Sequence, residues 1–127
     1  MSTSQGIVTV TEGKTVVLAV HKPDERQAVT DLLQEMNMEV HHAETAQDAI
    51  YLLEDFMCDF LVMDIQMPDM HAWRMLGTLR ESVDISALPT IVIMDEKEIV
   101  SLANVTSVVR PVSMAKLRQI IDSLFTV

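Results

Sequence analysis

The sequence predicts an α/β fold, a parallel sheet covered by helices on both faces. Three observations carry that prediction. Short apolar runs bounded by turn residues recur at Val16–Val20, Phe60–Met63 and Thr90–Met94. Such runs read as strands buried on both faces. Segments with apolar residues at helical spacing alternate with them, and strand–helix alternation specifies parallel pairing. Hydrophobic residues make up 49% of 127 residues, enough for one domain with a proper core and too many for a disordered chain.

Residues 1–14 are small and polar except Ile7, Val8 and Val10, and read as a flexible N-terminal arm. An added edge strand or a dimer contact is the sharper alternative. The domain proper is 15–127. Its first strand is Val16–Val20, and Pro23 then suits the first turn of a helix. Val29, Leu32, Leu33 and Met36 form that helix's inward stripe. Met38–Ala43 is a short second strand. Thr45-Ala46-Gln47-Asp48 has the form of a helix start. Ala46, Ala49, Ile50, Leu53 and Met57 extend inward from there. The third strand ends at Asp64. A third helix, about Ala72–Glu81, turns Ala72, Met75, Leu76 and Leu79 inward. Thr90–Met94 is the fourth strand and Thr106–Val109 the fifth. Asp95–Ala103 between them holds only a short helix. Ser113 caps the last helix, whose inward residues are Leu117, Ile120, Ile121 and Leu124. Right-handed crossovers and five βα units fit the flavodoxin-like doubly wound order 2-1-3-4-5.

Composition excludes several function classes. A net charge of −10 argues against nucleic-acid binding and favours basic protein surfaces. No apolar run approaches the roughly 18 residues of a membrane span, and the N-terminus lacks a signal-peptide pattern. Cys58, the single cysteine, reads as a core thiol in a cytoplasmic protein. The three glycines, Gly6, Gly13 and Gly77, cannot build a phosphate-cradling loop after the first strand. No Gly-x-Ser-x-Gly elbow is present, so no enzyme is expected. His21, His71 and Asp64 show no metal-ligand spacing, and His41 and His42 alternate across a strand. Met63, Met75 and Met94 fit core positions better than a metal site. Trp73 reads as partly buried packing.

Phe60-Leu61-Val62-Met63-Asp64-Ile65-Gln66-Met67-Pro68-Asp69-Met70 carries the functional signal. A buried strand ends in a lone carboxylate, where open α/β sheets place their chemistry. The stretch resembles the phospho-acceptor segment of response-regulator receiver domains, with Asp64 at the phosphorylated aspartate. The resemblance runs from about Lys14 to Val127. It includes the Pro-x-x-Arg form of Pro23–Arg26, and Arg110-Pro111 in place of the family's Lys-Pro. It implies that the ends of strands one, three, four and five converge, bringing together Val20, His21, Lys22, Asp64, Met94, Arg110 and Pro111. It also implies a cis bond before Pro111.

The surrounding residues depart from the family. Its Mg²⁺-binding acidic pair falls on Val20 and His21, or with one shift on His21 and Lys22, and neither gives a carboxylate. Asp24 and Glu25 lie in the next helix's first turn, where favouring the helix dipole explains them. The hydroxyl position on strand four is Met94, and the aromatic switch position is Ser107. The Asp-Gly after the acceptor loop is His71-Ala72. The connection from Met94 to Arg110 is shorter than the family's. The resemblance therefore implies weak or lost Mg²⁺ binding and no other cofactor. With no metal, Arg110 or Lys22 is expected to hold Asp64 ionised; at an effective dielectric near 20, opposite charges about 4 Å apart attract by about 4 kcal/mol before desolvation.

The reading is a stand-alone, degenerate receiver: a phosphorylation-independent pseudo-receiver that docks a sensor histidine kinase, a phosphotransfer protein or another regulator. A homodimer is a further option. Two alternatives stand beside it: an ordinary receiver phosphorylated on Asp64, and a small-ligand-binding flavodoxin-like protein.

Overall fold

The computed structural model describes residues 11–98, 102 and 104–125. The elements run β1 Thr15–Ala19, α1 Pro23–Glu35, β2 Glu39–His42, α2 Ala46–Asp55, β3 Phe60–Asp64, α3 Ala72–Leu79, a 3-10 turn Ile85–Ala87, β4 Thr90–Met94, β5 Val105–Val109 and α4 Met114–Phe125. The five strands form one sheet, every pair parallel, in the order β2-β1-β3-β4-β5. This is the expected 2-1-3-4-5 topology.

Side chains alternate across each strand and so divide the core in two. Val17, Ala19, Leu61, Met63, Val92 and Met94 pack with α2 and α3. Val16, Leu18, Phe60, Val62, Ile91, Ile93 and Val108 pack with α1 and α4. The central strands β3 and β4 are buried at every position, as their unbroken apolar runs require. Met63, Met75 and Met94 are fully buried, and Trp73 is half-buried against the α2–α3 layer.

Helix ends follow the local signals. Pro23 opens α1, the Thr45 side chain accepts the Asp48 N–H at the start of α2, and Ser113 Oγ accepts the Lys116 N–H before α4. Two expectations need correction. Met57 does not join the inward stripe of α2: the helix ends at Asp55, and Met57 is 95% exposed. α3 stops at Leu79, and Arg80–Ser82 form a hydrogen-bonded turn in place of further helix. The expected short helix within Asp95–Ala103 falls in good part on residues 99–101 and 103, outside the described residues; residues 95–98 form no helix.

Residues 1–10 of the expected arm also lie outside the described residues. Thr11–Lys14 is anchored: Thr11 Oγ1 donates to the Met36 carbonyl at 2.8 Å, and Gly13 N–H donates to the Asn37 carbonyl at 2.9 Å. Gly13 has φ +78°, a left-handed turn that suits glycine. No helix among the described residues is long and apolar enough to cross a membrane.

Candidate functional site

The site lies at the carboxyl ends of β1, β3, β4 and β5, where the topology brings four connections together. Asp64 ends β3 and is buried, 2% exposed. Its Oδ1 accepts the Gln66 N–H at 3.4 Å. The loop that follows folds back on itself: Ala72 N–H donates to the Ile65 carbonyl at 2.8 Å, and Met67 N–H to the Met70 carbonyl at 3.1 Å. His71 ends this loop and accepts the Trp73 N–H on its Nδ1, so it serves as the α3 cap.

Arg110 organises the site. It follows β5 and precedes a cis peptide bond to Pro111, as the resemblance implied. Its Nη2 donates to Asp64 Oδ2 at 2.6 Å and to Glu25 Oε1 at 2.8 Å. Its Nε donates to Glu25 Oε2 at 3.0 Å and its Nη1 to Asp95 Oδ1 at 3.2 Å. One planar fork therefore holds three carboxylates, from α1, the end of β3 and the connection after β4, a geometry that lysine cannot reproduce. Burial alone would lower the proton affinity of Arg110, but the hydrogen bonds it donates to Glu25 and Asp64 outweigh this and raise that affinity above the ordinary guanidinium range.

The other expected site residues have lesser or different roles. His21 Nε2 lies 3.1 Å from the Gln66 carbonyl and 3.5 Å from Asp64 Oδ2. Lys22 does not reach Asp64: its Nζ pairs with Asp95 at 3.8 Å, with both side chains exposed, so this pair contributes little. Val20 and Met94 are fully buried and pack in the two core layers, Val20 with α1 and α4 and Met94 with α2 and α3. Pro111 is exposed.

Glu25 is a correction. Its place in the first turn of α1 suggested a helix-dipole role. The structure turns it onto Arg110 instead, with both carboxylate oxygens engaged. Asp95 and Asp69 were also missed as site-shaping residues. Asp69, in the loop after β3, accepts the Ala46 and Gln47 N–H groups at 2.8 and 3.0 Å. Burial alone would raise the Asp69 carboxyl; these and neighbouring backbone N–H groups outweigh that and hold it below the ordinary range. No local spacing signals a contact across 85 positions, as between Glu25 and Arg110. The one available hint was an arginine facing a buried acid with no other partner in sequence reach.

The donor set does not fit Mg²⁺. That ion requires several oxygen ligands in near-octahedral geometry. Val20 offers none and His21 offers an imidazole. Both Glu25 oxygens and Asp64 Oδ2 are taken by the guanidinium. Among the described residues no three His, Cys, Asp or Glu side chains form a metal-binding group.

A doubly wound sheet with a buried aspartate at the end of its central strand, facing a cation that precedes a cis proline, defines the receiver class. Residues 16–122 match the family model of the response regulator receiver domain, and the chain belongs to that family. Solved structures agree on the fold. The receiver domain of a sensor histidine kinase from Pseudomonas aeruginosa PAO1, with a magnesium ion in its active-site cleft, is 16% identical; the match covers 87% of this chain and 96% of that one, with a TM-score of 0.78. The receiver domain of the hybrid histidine kinase CckA is 18% identical over 88% and 99%, with a TM-score of 0.75. The receiver domain of the Saccharomyces cerevisiae response regulator Ssk1, crystallised with the phosphotransfer protein Ypd1, is 12% identical over 90% of each chain, with a TM-score of 0.78.

Proposed function

We propose that this receiver domain is a phosphorylation-independent pseudo-receiver that signals through protein–protein contact. One observation carries the reading: the Arg110 guanidinium occupies the space beside Asp64 and draws Glu25 and Asp95 onto itself. A fixed cation stands where phosphoryl transfer needs an exchangeable one. Phosphoryl transfer depends on a metal that neutralises charge on the moving group. Here Arg110 holds both oxygens of Glu25 and one oxygen each of Asp64 and Asp95, so Mg²⁺ binds weakly or not at all. Met94 adds no hydroxyl to receive a phosphoryl oxygen. The domain catalyses no reaction of its own and needs no cofactor.

The partner is a sensor histidine kinase, a phosphotransfer protein or another regulator of a two-component system. Receiver domains of this fold occur within histidine kinases and in complex with a phosphotransfer protein. The acidic surface of this chain suits basic partner surfaces. The reading places the domain in the cytoplasm, where such partners present their signalling domains.

Incubation with acetyl phosphate and Mg²⁺, followed by intact-mass measurement, tests the reading. The expected spectrum is unchanged. A gain of one phosphoryl group that disappears in Asp64→Asn would overturn it in favour of an ordinary phospho-accepting receiver.

A further inference from the structure

A second concave surface lies at the other end of the sheet from Asp64. It sits where β3 and β4 begin, between the last turn of α2 and the connection from α3 to β4. β3 rises roughly 13 Å from Phe60 to Asp64, so this groove is remote from the carboxylates around Arg110. Its volume is about 390 Å³, within the roughly 300–1,000 Å³ of binding clefts. Leu53, Phe56, Val83 and Leu88 give it an apolar floor. Leu53 and Leu88 are buried, and Phe56 and Val83 are half-buried.

The walls are tied in place by the chain itself. Ser82 Oγ donates to Glu54 and joins one wall to the other. Val83 N–H donates to the Leu79 carbonyl at 2.9 Å, and Ala87 N–H to the Asp84 carbonyl at 3.1 Å. A surface already in shape costs a partner less ordering.

The rim is acidic and unbalanced. Glu54, Asp55 and Asp84 are exposed along it. Glu54 and Asp55 stand in the last turn of α2, which holds no basic residue. Carboxylates there meet the negative end of the helix dipole. Among the described residues none of the three pairs with a lysine or arginine. Glu54 has Ser82, and Asp84 accepts the Ser86 N–H, but Asp55 has no partner among the described residues. Burial, and then the charges of Asp59 and Glu39, push the Cys58 thiol in the groove wall up to about 11. The negative potential therefore extends into the groove.

Apolar surface continues past the mouth. Of four large hydrophobic residues exposed among the described ones, Met57 at 95% and Tyr51 at 62% flank the last turn of α2. Tyr51 lies one helical turn before Glu54 and Asp55 and shares their side of α2. Methionine adapts its shape to a partner, and both residue types are enriched at interfaces.

We propose that this groove docks a partner protein through a short basic segment bearing a large apolar side chain. The apolar side chain enters the groove beside Met57, and flanking lysine or arginine residues meet Glu54, Asp55 and Asp84. A protein segment is the occupant because Tyr51 lies outside the cavity, beyond the reach of a molecule that merely fills it. The acidic rim repels the phosphates of nucleic acids and of anionic lipids. A second copy matches poorly, since each chain carries 19 acidic against 9 basic residues. The inference is independent of the chemistry at Asp64.

Amide chemical shifts of the isotope-labelled full chain, titrated with three acetylated, amidated hexapeptides, test it. The probe is Lys-Trp-Leu-Leu-Arg-Lys. One control replaces its basic residues with glutamate, and the other replaces Trp-Leu-Leu with Ser-Gly-Ser. The probe should give saturable shifts centred on residues 55–58 and 82–88, with a Kd of about 1 mM or below. Both controls should bind at least about tenfold more weakly. Asp55→Lys combined with Met57→Ser changes two exposed side chains, so the fold should be kept and probe affinity should fall at least about tenfold. Shifts that fail to saturate by about 5 mM, or that centre elsewhere, overturn the proposal. So does equal binding of either control, or binding that survives in the folded double variant. Phenethylammonium binding as tightly as the peptide would overturn it in favour of a small-molecule site.

Discussion

Arg110 makes the strongest single contribution to the site. It is mostly buried, as are both of its close partners, Asp64 and Glu25. Removing one member of such a cluster strands charge in a poorly solvated place. Arg110→Ala should therefore destabilise the fold by about 3 kcal/mol in urea titration. Arg110→Lys should recover only part of this, because an ammonium cannot hold Glu25 and Asp64 in one plane. Equal stability of Arg110→Ala and wild type would show that the cluster is ornamental. Cys58 gives a second residue-level prediction. Burial, followed by the nearby Asp59 and Glu39 charges, pushes its thiol up to about 11 from 9.0. At pH 8 the thiolate fraction falls by about a hundredfold. Alkylation by iodoacetamide should be slower than for an ordinary cysteine by a similar factor and should rise with pH through about 11. Of these residues, Asp64 and Arg110 were legible in the sequence, because a motif surrounds each. Glu25 was not. Its local position already had a sufficient explanation at the helix terminus, and only the tertiary fold decides between that and Arg110.

At the scale of elements, the strands and helix stripes were readable because burial alternates or repeats within a few residues. Unbroken runs such as Phe60–Met63 and Thr90–Met94 are buried on both faces. The stretch after Met94 was harder to read. It is too short to show a helical period, and its described residues make no helix. The start of α2 shows the same limit. Thr45 announced the cap, but Asp69, 23 positions away from Ala46, supplies two more acceptors for the same helix terminus. Thr45→Ala and Asp69→Asn should each cost about 1 kcal/mol or less, Asp69 towards the low end because it is exposed and screened. The double variant should lose less than the sum, since both act on one helix start. The pH dependence of Asp69 has a definite sign. Its carboxyl is held low in the folded state. Its contribution is thus fully present above the unfolded carboxylate range, near about pH 4, and is lost as pH falls through the lower folded value. The stability gap between wild type and Asp69→Asn, followed by thermal melts, should be constant above about pH 5 and should narrow below about pH 4. A gap that widens on acidification would contradict this assignment.

For the molecule as a whole, the α/β class was legible from alternation; right-handed crossovers restricted the topology, and five βα units fitted the flavodoxin-like order 2-1-3-4-5 that the sheet has. The departures around Asp64 were legible too, because each falls at the end of a strand that the motif fixes. Their collective result was not, since it depends on one side chain reaching three carboxylates at once. Together they describe a receiver in which Arg110 binds Asp64, Glu25 and Asp95, and the proposed function reads that arginine as a lock on the active-site end. The most direct measurement is a Mg²⁺ titration followed by amide chemical shifts in two-dimensional NMR. The account predicts only small, non-saturating changes at Asp64, Gln66, Asp95 and Arg110 up to about 10 mM, because no oxygen cage is free to dehydrate the ion. Saturable shifts centred on these residues at about 1 mM or below would contradict it and restore Asp64 to the standing of a metal-assisted phospho-acceptor.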